Sequence, residues 1–311
     1  MKNIVEPLTQ TKLFGLDFFL NQLIQLKEKE TLPNKILLSG QKGQGKATLA
    51  YHFINYILSK KEEFKYDLRN CEIDSNNHSY KTILNGSNPN FFLIDVNPEK
   101  KSIDIHQIRK LISNLNKSSF NDKPRFVLID NIEFLNINSL NALLKTLEEP
   151  SANIIFILIH NNKKVLATLL SRCINFKISL THNENLDIAN KLFDGELYEK
   201  INPDLINYYF TPGNIYNLIK FGELNNYNLN DLNLKEFLKM IINDTNYKKD
   251  TSINYLVFDF IEFYFNKISS NFSINIFNKY NYFLKRISDT KRFNLDEDSL
   301  YMEFENKILN D

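Results

Sequence analysis

The stretch ILLSGQKGQGKATL, Ile36 to Leu49, decides the fold. A short apolar run, Ile36–Ser39, enters a glycine-rich turn, and a helical pattern leaves it over Thr48–Leu58. In that order of strand, loop and helix, backbone N–H groups and a helix N-terminus can cradle phosphate oxygens. Set against the pattern G-x-x-x-x-G-K-[ST], Gly40, Gly45 and Lys46 stand in place, and Gly43 adds a further flexible position. In a working loop the lysine reaches the β- and γ-phosphates and the following hydroxyl holds Mg²⁺. Here Ala47 occupies the hydroxyl position, and Thr48 comes one residue late. The cradle is kept and one metal ligand is lost.

Working outward, similar apolar runs recur at Phe91–Asp95, Phe126–Asp130 and Ile154–Ile159. Short, nearly continuous apolar runs suit strands covered on both faces, as in a parallel sheet. Helical patterns separate them. Asp104 and Gln107 predict a capping box ahead of Ile105, Ile108, Ile112 and Leu115. Over Ser139–Glu149 the leucines 140, 143, 144 and 147 share a helix face, and Pro150 predicts its end. The alternation predicts a three-layer α/β domain over residues 1–178.

Beyond residue 178 the strand signal fades. Asn183–Tyr198 and Pro203–Phe221 read as short helices. From Asn226 onward, apolar residues recur at helical spacing: Leu234, Phe237, Leu238 and Ile241, then Leu256, Phe260 and Phe263, then Phe283, Leu284 and Ile287. This predicts a separate helical domain over 226–311, with a loop at Ser269–Asn275.

Two further stretches carry chemistry. FVLIDNIEFLN, from Phe126, is an apolar strand ending in Asp130, which either holds Mg²⁺ through water or is simply a strand-end carboxylate. Active ATPases place a glutamate next to orient the attacking water. Here Asn131 stands there and cannot act as a base, while Glu133 lies two residues further on. LLSRC, Leu169–Cys173, places Arg172 at a helix end after the NNKKVLATLL segment. An arginine so placed either caps its own helix or stabilises charge on a phosphate bound to a neighbour.

Composition sets bounds. The 311 residues are 43% hydrophobic with a formal charge of +1, so the chain is globular and no bulk charge drives it onto nucleic acid. It has two cysteines, Cys71 and Cys173, too few for a four-thiolate zinc site or a disulfide scaffold. The first residues, MKNIVEPLTQ, lack the apolar run of a signal peptide, and no apolar stretch is long enough to span a membrane. A cytoplasmic protein with reduced thiols is the expectation.

The succession FGLDFFLNQLIQLKEKETLPNKILLSG, GQKGQGKAT, IDIHQIRKL, FVLIDNIEFLNINSLNALLKTLEEP and LATLLSRC resembles that of bacterial clamp-loader subunits of the AAA+ class. The resemblance is greatest to the delta-prime type of DNA polymerase III. It covers roughly residues 10–225 through motifs and extends weakly to RFNLDEDSL near the end, which resembles the start of the last collar helix. The resemblance implies an AAA+ RecA-like three-layer domain, a small helical lid over 179–225 and an all-helical collar over 226–311 that oligomerises. It implies a pentamer with delta and gamma/tau subunits, which opens the sliding clamp and places it on primed DNA. By resemblance, Arg172 is the arginine finger for ATP on an adjacent gamma/tau subunit, and Phe14–Leu16 match the segment near the adenine pocket.

Departures from the family pattern fall on hydrolysis: Ala47 for the hydroxyl, Asn131 for the glutamate, and Asn214 in TPGN for the lid arginine. The sensor position near His160 is ambiguous. The family's zinc module needs four cysteines between the loop and the second strand; only Cys71 lies there, so no metal is expected. The degenerate loop, Gly40, Gly43, Gly45, Lys46 and Thr48 with Asp130, is expected to bind ATP or ADP weakly if at all. The expectation is a non-hydrolysing subunit that completes a neighbour's ATP site. The alternatives are an active gamma/tau-type ATPase using Thr48 by a register shift, and a scaffold that needs no finger.

Overall fold

The computed structural model describes residues 6–97, 100–118, 120–148, 153–161, 167–268, 274–293 and 295–310. Glu149 and Pro150 at the expected helix stop, residues 162–166 before Arg172, and residues 269–273 of the expected loop lie outside them. The chain divides into two compact units, Met1–Glu184 and Asn185–Asp311.

The first unit holds a five-stranded sheet: β1 Lys35–Ser39, β2 Phe91–Ile94, β3 Arg125–Ile129, β4 Ile154–His160 and β5 Ile174–Lys177. The order is β2-β3-β4-β1-β5, and every pairing is parallel. Leu37 pairs with Leu158, Phe91 with Phe126, Arg125 with Ile154, and Ile36 with Ile174. Side chains alternate between the faces of a strand, and the core divides accordingly. Ile36, Leu38, Phe126, Leu128, Ile155 and Ile157 join one buried cluster. That cluster includes residues of α1 (Asp17–Glu28) and α2 (Lys46–Ser59). Leu37, Val127, Ile129, Phe156 and Leu158 join the other, with α4 (Ile105–Leu115) and α5 (Ile137–Glu148). The helix α3 (His78–Leu84) contributes Ile83 to the first cluster. This is the three-layer arrangement expected from the sequence. β4 is buried along its whole length, which explains its unbroken apolar run.

The capping box at α4 forms as expected. Asp104 Oδ1 accepts the Gln107 N–H at 3.1 Å, and Gln107 Oε1 accepts the Asp104 N–H at 3.0 Å. A short helix, α6 (Ala167–Leu170), precedes β5. The expected end of the α/β domain at residue 178 falls just beyond β5.

The second unit is helical. From α7 (His182–Leu192), whose first residues belong to the first unit, it continues through α8 (Leu197–Lys200), α9 (Pro212–Asn225), α10 (Leu234–Asp244), α11 (Thr251–Ile268), α12 (Ile274–Phe293) and α13 (Glu297–Phe304). The expected lid–collar division falls at the end of α9, inside this unit. One buried cluster runs from Ala189 to Leu309. Phe210 meets Phe260 edge-on at 5.3 Å between ring centres, and Phe237 lies 5.0 Å from the same ring. Phe265 contacts Tyr280, Phe283 and Phe304. Aromatic edge-to-face contacts of this kind add to the burial of the rings themselves.

Candidate functional site

The C-terminal ends of parallel strands are where open α/β sheets receive ligands. At the end of β1, Gly40, Gly43 and Gly45 all have positive φ. A Cβ on Gly40 would stand 2.3 Å from the Ile178 carbonyl oxygen, so the chain passes too close there for any side chain. Gly45 is the left-handed N-cap of α2, and a Cβ on it would meet Leu16 Cδ1 at 2.9 Å. Leu16 belongs to the segment expected near a base pocket; the structure places it against the loop. The helix begins at Lys46, two residues earlier than the sequence pattern suggests, because the loop delivers the chain directly into helical geometry.

Lys46 is 3% exposed. Its Nζ donates to the carbonyls of Gly40 at 2.9 Å and Gln41 at 2.6 Å. Burial pushes its pKa down to about 8, against the opposing pull of Asp130 and Glu133. Ala47 packs against the core and Thr48 lies in the first turn of α2. Gln44 is also buried, and its Oε1 has no hydrogen-bond partner among the described residues. That adds an acceptor, not a donor, to an anion cradle.

Asp130 lies just past β3, and its Oδ1 accepts the Asn131 N–H at 2.7 Å. Burial pushes its pKa up to about 6, helped by the neighbouring Asp95 carboxylate and opposed by the Asn131 N–H and Lys46. Asn131 is left-handed, with φ 55°, a conformation asparagine tolerates better than most residues. Its side chain is held on both sides. Nδ2 donates to Asp95 Oδ1 at 2.9 Å, and Oδ1 accepts from Asn161 Nδ2 at 2.9 Å. Glu133, in the one-turn helix Ile132–Phe134, keeps a buried Oε2 without a hydrogen-bond partner among the described residues.

The structure therefore brings the glycine loop, Lys46, Asp130 and Asn131 together, with two residues that sequence reasoning missed. Asp95 ends the second apolar run, and Asn161 directly follows β4. The ambiguity near His160 resolves in part: His160 is buried as the last residue of the strand, while the Asn161 amide faces Asn131.

Arg172 belongs to the other end of the strands, where β5 begins beside β1. It lies two residues before Ile174, which opens β5 and pairs with Ile36 near the start of β1. The loop follows the opposite end of β1. Arg172 Nε and Nη2 donate to Glu148 Oε1 at 3.2 and 2.6 Å, and Nη1 donates to the Thr168 carbonyl at 2.8 Å. Asn214 lies in the second unit, where its N–H caps onto Thr211 Oγ1 at 3.3 Å.

The residues present fit a phosphate better than a metal. Glycines, a helix N-terminus and a lysine offer donors, whereas Ala47 offers no ligand and Asp130 is pulled toward its neutral form. Cys71 donates to the Leu68 carbonyl at 3.7 Å, and among the described residues no cluster of metal-ligating side chains is assembled. None of the described helices is long and apolar enough to cross a membrane.

Known proteins resemble the chain. A delta-prime subunit of DNA polymerase III from Pseudomonas aeruginosa is 30% identical over 139 residues, covering 44% of this chain and 40% of that protein. A DNA polymerase III gamma subunit from Buchnera aphidicola (subsp. Schizaphis graminum) is 32% identical over 151 residues, covering 48% and 39%. The chain thus matches about two fifths of the length of these relatives. A gamma subunit-related protein of DNA polymerase III from Thermotoga maritima shares the fold, with a TM-score of 0.50 at 19% identity, over 91% of this chain and 96% of that one. The sheet and its flanking helices are those of an AAA+ protein. Residues 16–182 match the family described as DNA polymerase III, delta subunit, and the chain belongs to that family of clamp-loader proteins in DNA replication.

Proposed function

We propose that this chain is a delta-prime-like clamp-loader subunit that does not hydrolyse ATP itself and donates Arg172 to an ATP site on a neighbouring gamma/tau subunit. The observation that carries this reading is the separation of Arg172 from the chain's own loop, at opposite ends of the paired strands β1 and β5. An arginine at that end of the strands is out of reach of phosphate held at Gly40–Lys46 and is available to another subunit. The fixed Asn131 supports the same reading, because its amide is spent on Asp95 and Asn161. So does Ala47.

In this reading the loop binds ATP or ADP weakly, through Gly40, Gly43, Gly45 and Lys46. Partners are gamma/tau and delta subunits, and through them the sliding clamp and primed DNA, in the cytoplasm. Residues 179–225 serve as lid and 226–311 as collar. Ile274 and Phe277, 83% and 51% exposed at the start of α12, support a collar face that meets another helix.

A gamma/tau-type ATPase is the second reading, favoured by the comparable identity to the Buchnera gamma subunit. ATP hydrolysis by the isolated chain, and by the chain mixed with gamma/tau and delta, separates the two. The expected result is no turnover alone and stimulated turnover in the mixture. Turnover by the chain alone that Lys46→Ala abolishes would establish the second reading.

A further inference from the structure

Arg172 does not hang free at the surface. Glu148 Oε1 receives both Nε and Nη2, while the Thr168 carbonyl receives Nη1 and Ser171 Oγ lies 3.4 Å from the same nitrogen. Glu148 is the last residue of α5, and Thr168 belongs to α6. Two helices thus fix the guanidinium plane along two of its edges. The pair is partly open to solvent, at 31% for the Arg172 side chain and 53% for Glu148.

From this geometry we infer that Glu148 is a positioning residue for Arg172, an inference that rests on the function proposed above. A long arginine side chain samples many rotamers when unrestrained, and that freedom is lost when it engages a phosphate. Glu148 removes it beforehand, so the fork is already ordered when a neighbour docks. The same pair is easily released. A carboxylate in partial contact with water competes weakly for a guanidinium, and a polyphosphate carries more charge. Glu148 therefore orders Arg172 in the separate chain and yields it in the complex.

The test is a double-mutant cycle in the reconstituted complex with gamma/tau, delta, clamp and primed DNA, with ATPase measured per assembled complex. Glu148→Ala should lower kcat by about threefold to tenfold, with little change in KM, the range expected of coupled neighbours. Glu148→Gln should recover part of the loss, since its Oε1 still accepts. In an Arg172→Ala background, Glu148→Ala should cost nothing more. If Arg172→Ala lowers kcat but Glu148→Ala and Glu148→Gln leave it unchanged or raise it, the positioning role is wrong and the finger stands. An equal loss from Glu148→Ala in both backgrounds would show that Glu148 acts elsewhere, which also overturns the proposal. If Arg172→Ala has no effect, the finger itself falls. Should Glu148→Ala fail to assemble, Glu148→Gln, which keeps the side-chain shape, gives the deciding value.

Discussion

Two charged groups on the same sheet live under different rules. Lys46 is buried in the glycine loop, bonded to two backbone carbonyls and facing Asp130 and Glu133. Arg172, at the opposite end of the strands, is held by one half-exposed carboxylate and a helix-end carbonyl. A buried charge must be satisfied by its surroundings, and the surroundings are then committed to it. A partly exposed pair commits little and is released at little cost. The loop is built into the fold, whereas Arg172 sits in a pair that water can reach. If that contrast is right, substitutions in the loop should be felt first in stability and those at Arg172 first in the assembled complex.

The sharpest way to break the contrast is at Gly40. Its φ of 151° and the 2.3 Å approach to the Ile178 carbonyl leave no room for a methyl group. Gly40→Ala must move β1 or the segment after β5, and should cost about 2–4 kcal/mol in unfolding free energy by denaturant titration. A loss below about 0.5 kcal/mol, the usual size for an indifferent surface change, would mean that the loop is not built into the fold after all.

A smaller effect is expected from Asp130, through pH. Its folded pKa is raised to about 6 by burial and by Asp95. The folded state therefore holds the proton more tightly than the unfolded chain, whose aspartates titrate near about 3.9. Stability should fall as pH rises from about 4 to 6, by about 1–2 kcal/mol after allowance for the solvent access of Asp130. Lys46 faces Asp130 and keeps its charge across that interval, because its pKa of about 8 lies above it. Asp130→Asn should flatten this part of the profile. Parallel profiles for the two proteins between pH 4 and 6 would show that Asp130 is not the group responsible.

Much of this architecture was legible in the sequence, and the misses have physical causes. Of the four strands seen as apolar runs, β1, β3 and β4 have buried interiors, while β2 lies at an edge and was legible only because its residues are apolar; the loop announced itself through Gly40, Gly45 and Lys46. β5, at the other edge, was missed because INFK has mostly exposed residues and no apolar run. The chemistry of single positions was legible as loss: Ala47 and Asn131 differ visibly from the pattern. What occupies the space of a lost group was not. Nothing in one sequence pairs Asn131 with Asp95, 36 positions earlier, or with Asn161, 30 later. Glu148 was hidden for a similar reason, since its partner lies 24 residues on and across a helix boundary. For Arg172 the sequence left helix capping and phosphate binding as alternatives. The structure shows that the same side chain already does the first, through the Thr168 carbonyl, without being buried by it.

Arg172→Ala should therefore be the mildest of these changes to the chain itself. It removes a partly exposed ion pair and one bond to a helix-end carbonyl, together worth about 0–1 kcal/mol. Because the pair with Glu148 faces water, the difference from the parent should shrink as salt rises from low to physiological ionic strength. Buried groups such as Lys46 should show no such dependence. Unfolding titrations of both proteins at two salt concentrations measure this directly. A loss above about 2 kcal/mol, insensitive to salt, would place Arg172 among the groups built into the fold and erase the contrast between the two sites. A small, screened loss would mean that the residue contributes little to the chain that carries it. The presence of such an arginine in a chain where Ala47 and Asn131 replace the expected hydroxyl and glutamate would then have to be explained outside this chain. The proposed trans-acting role would supply that explanation, since an arginine contributed to another protein's site typically raises phosphoryl transfer by about 10³–10⁵-fold.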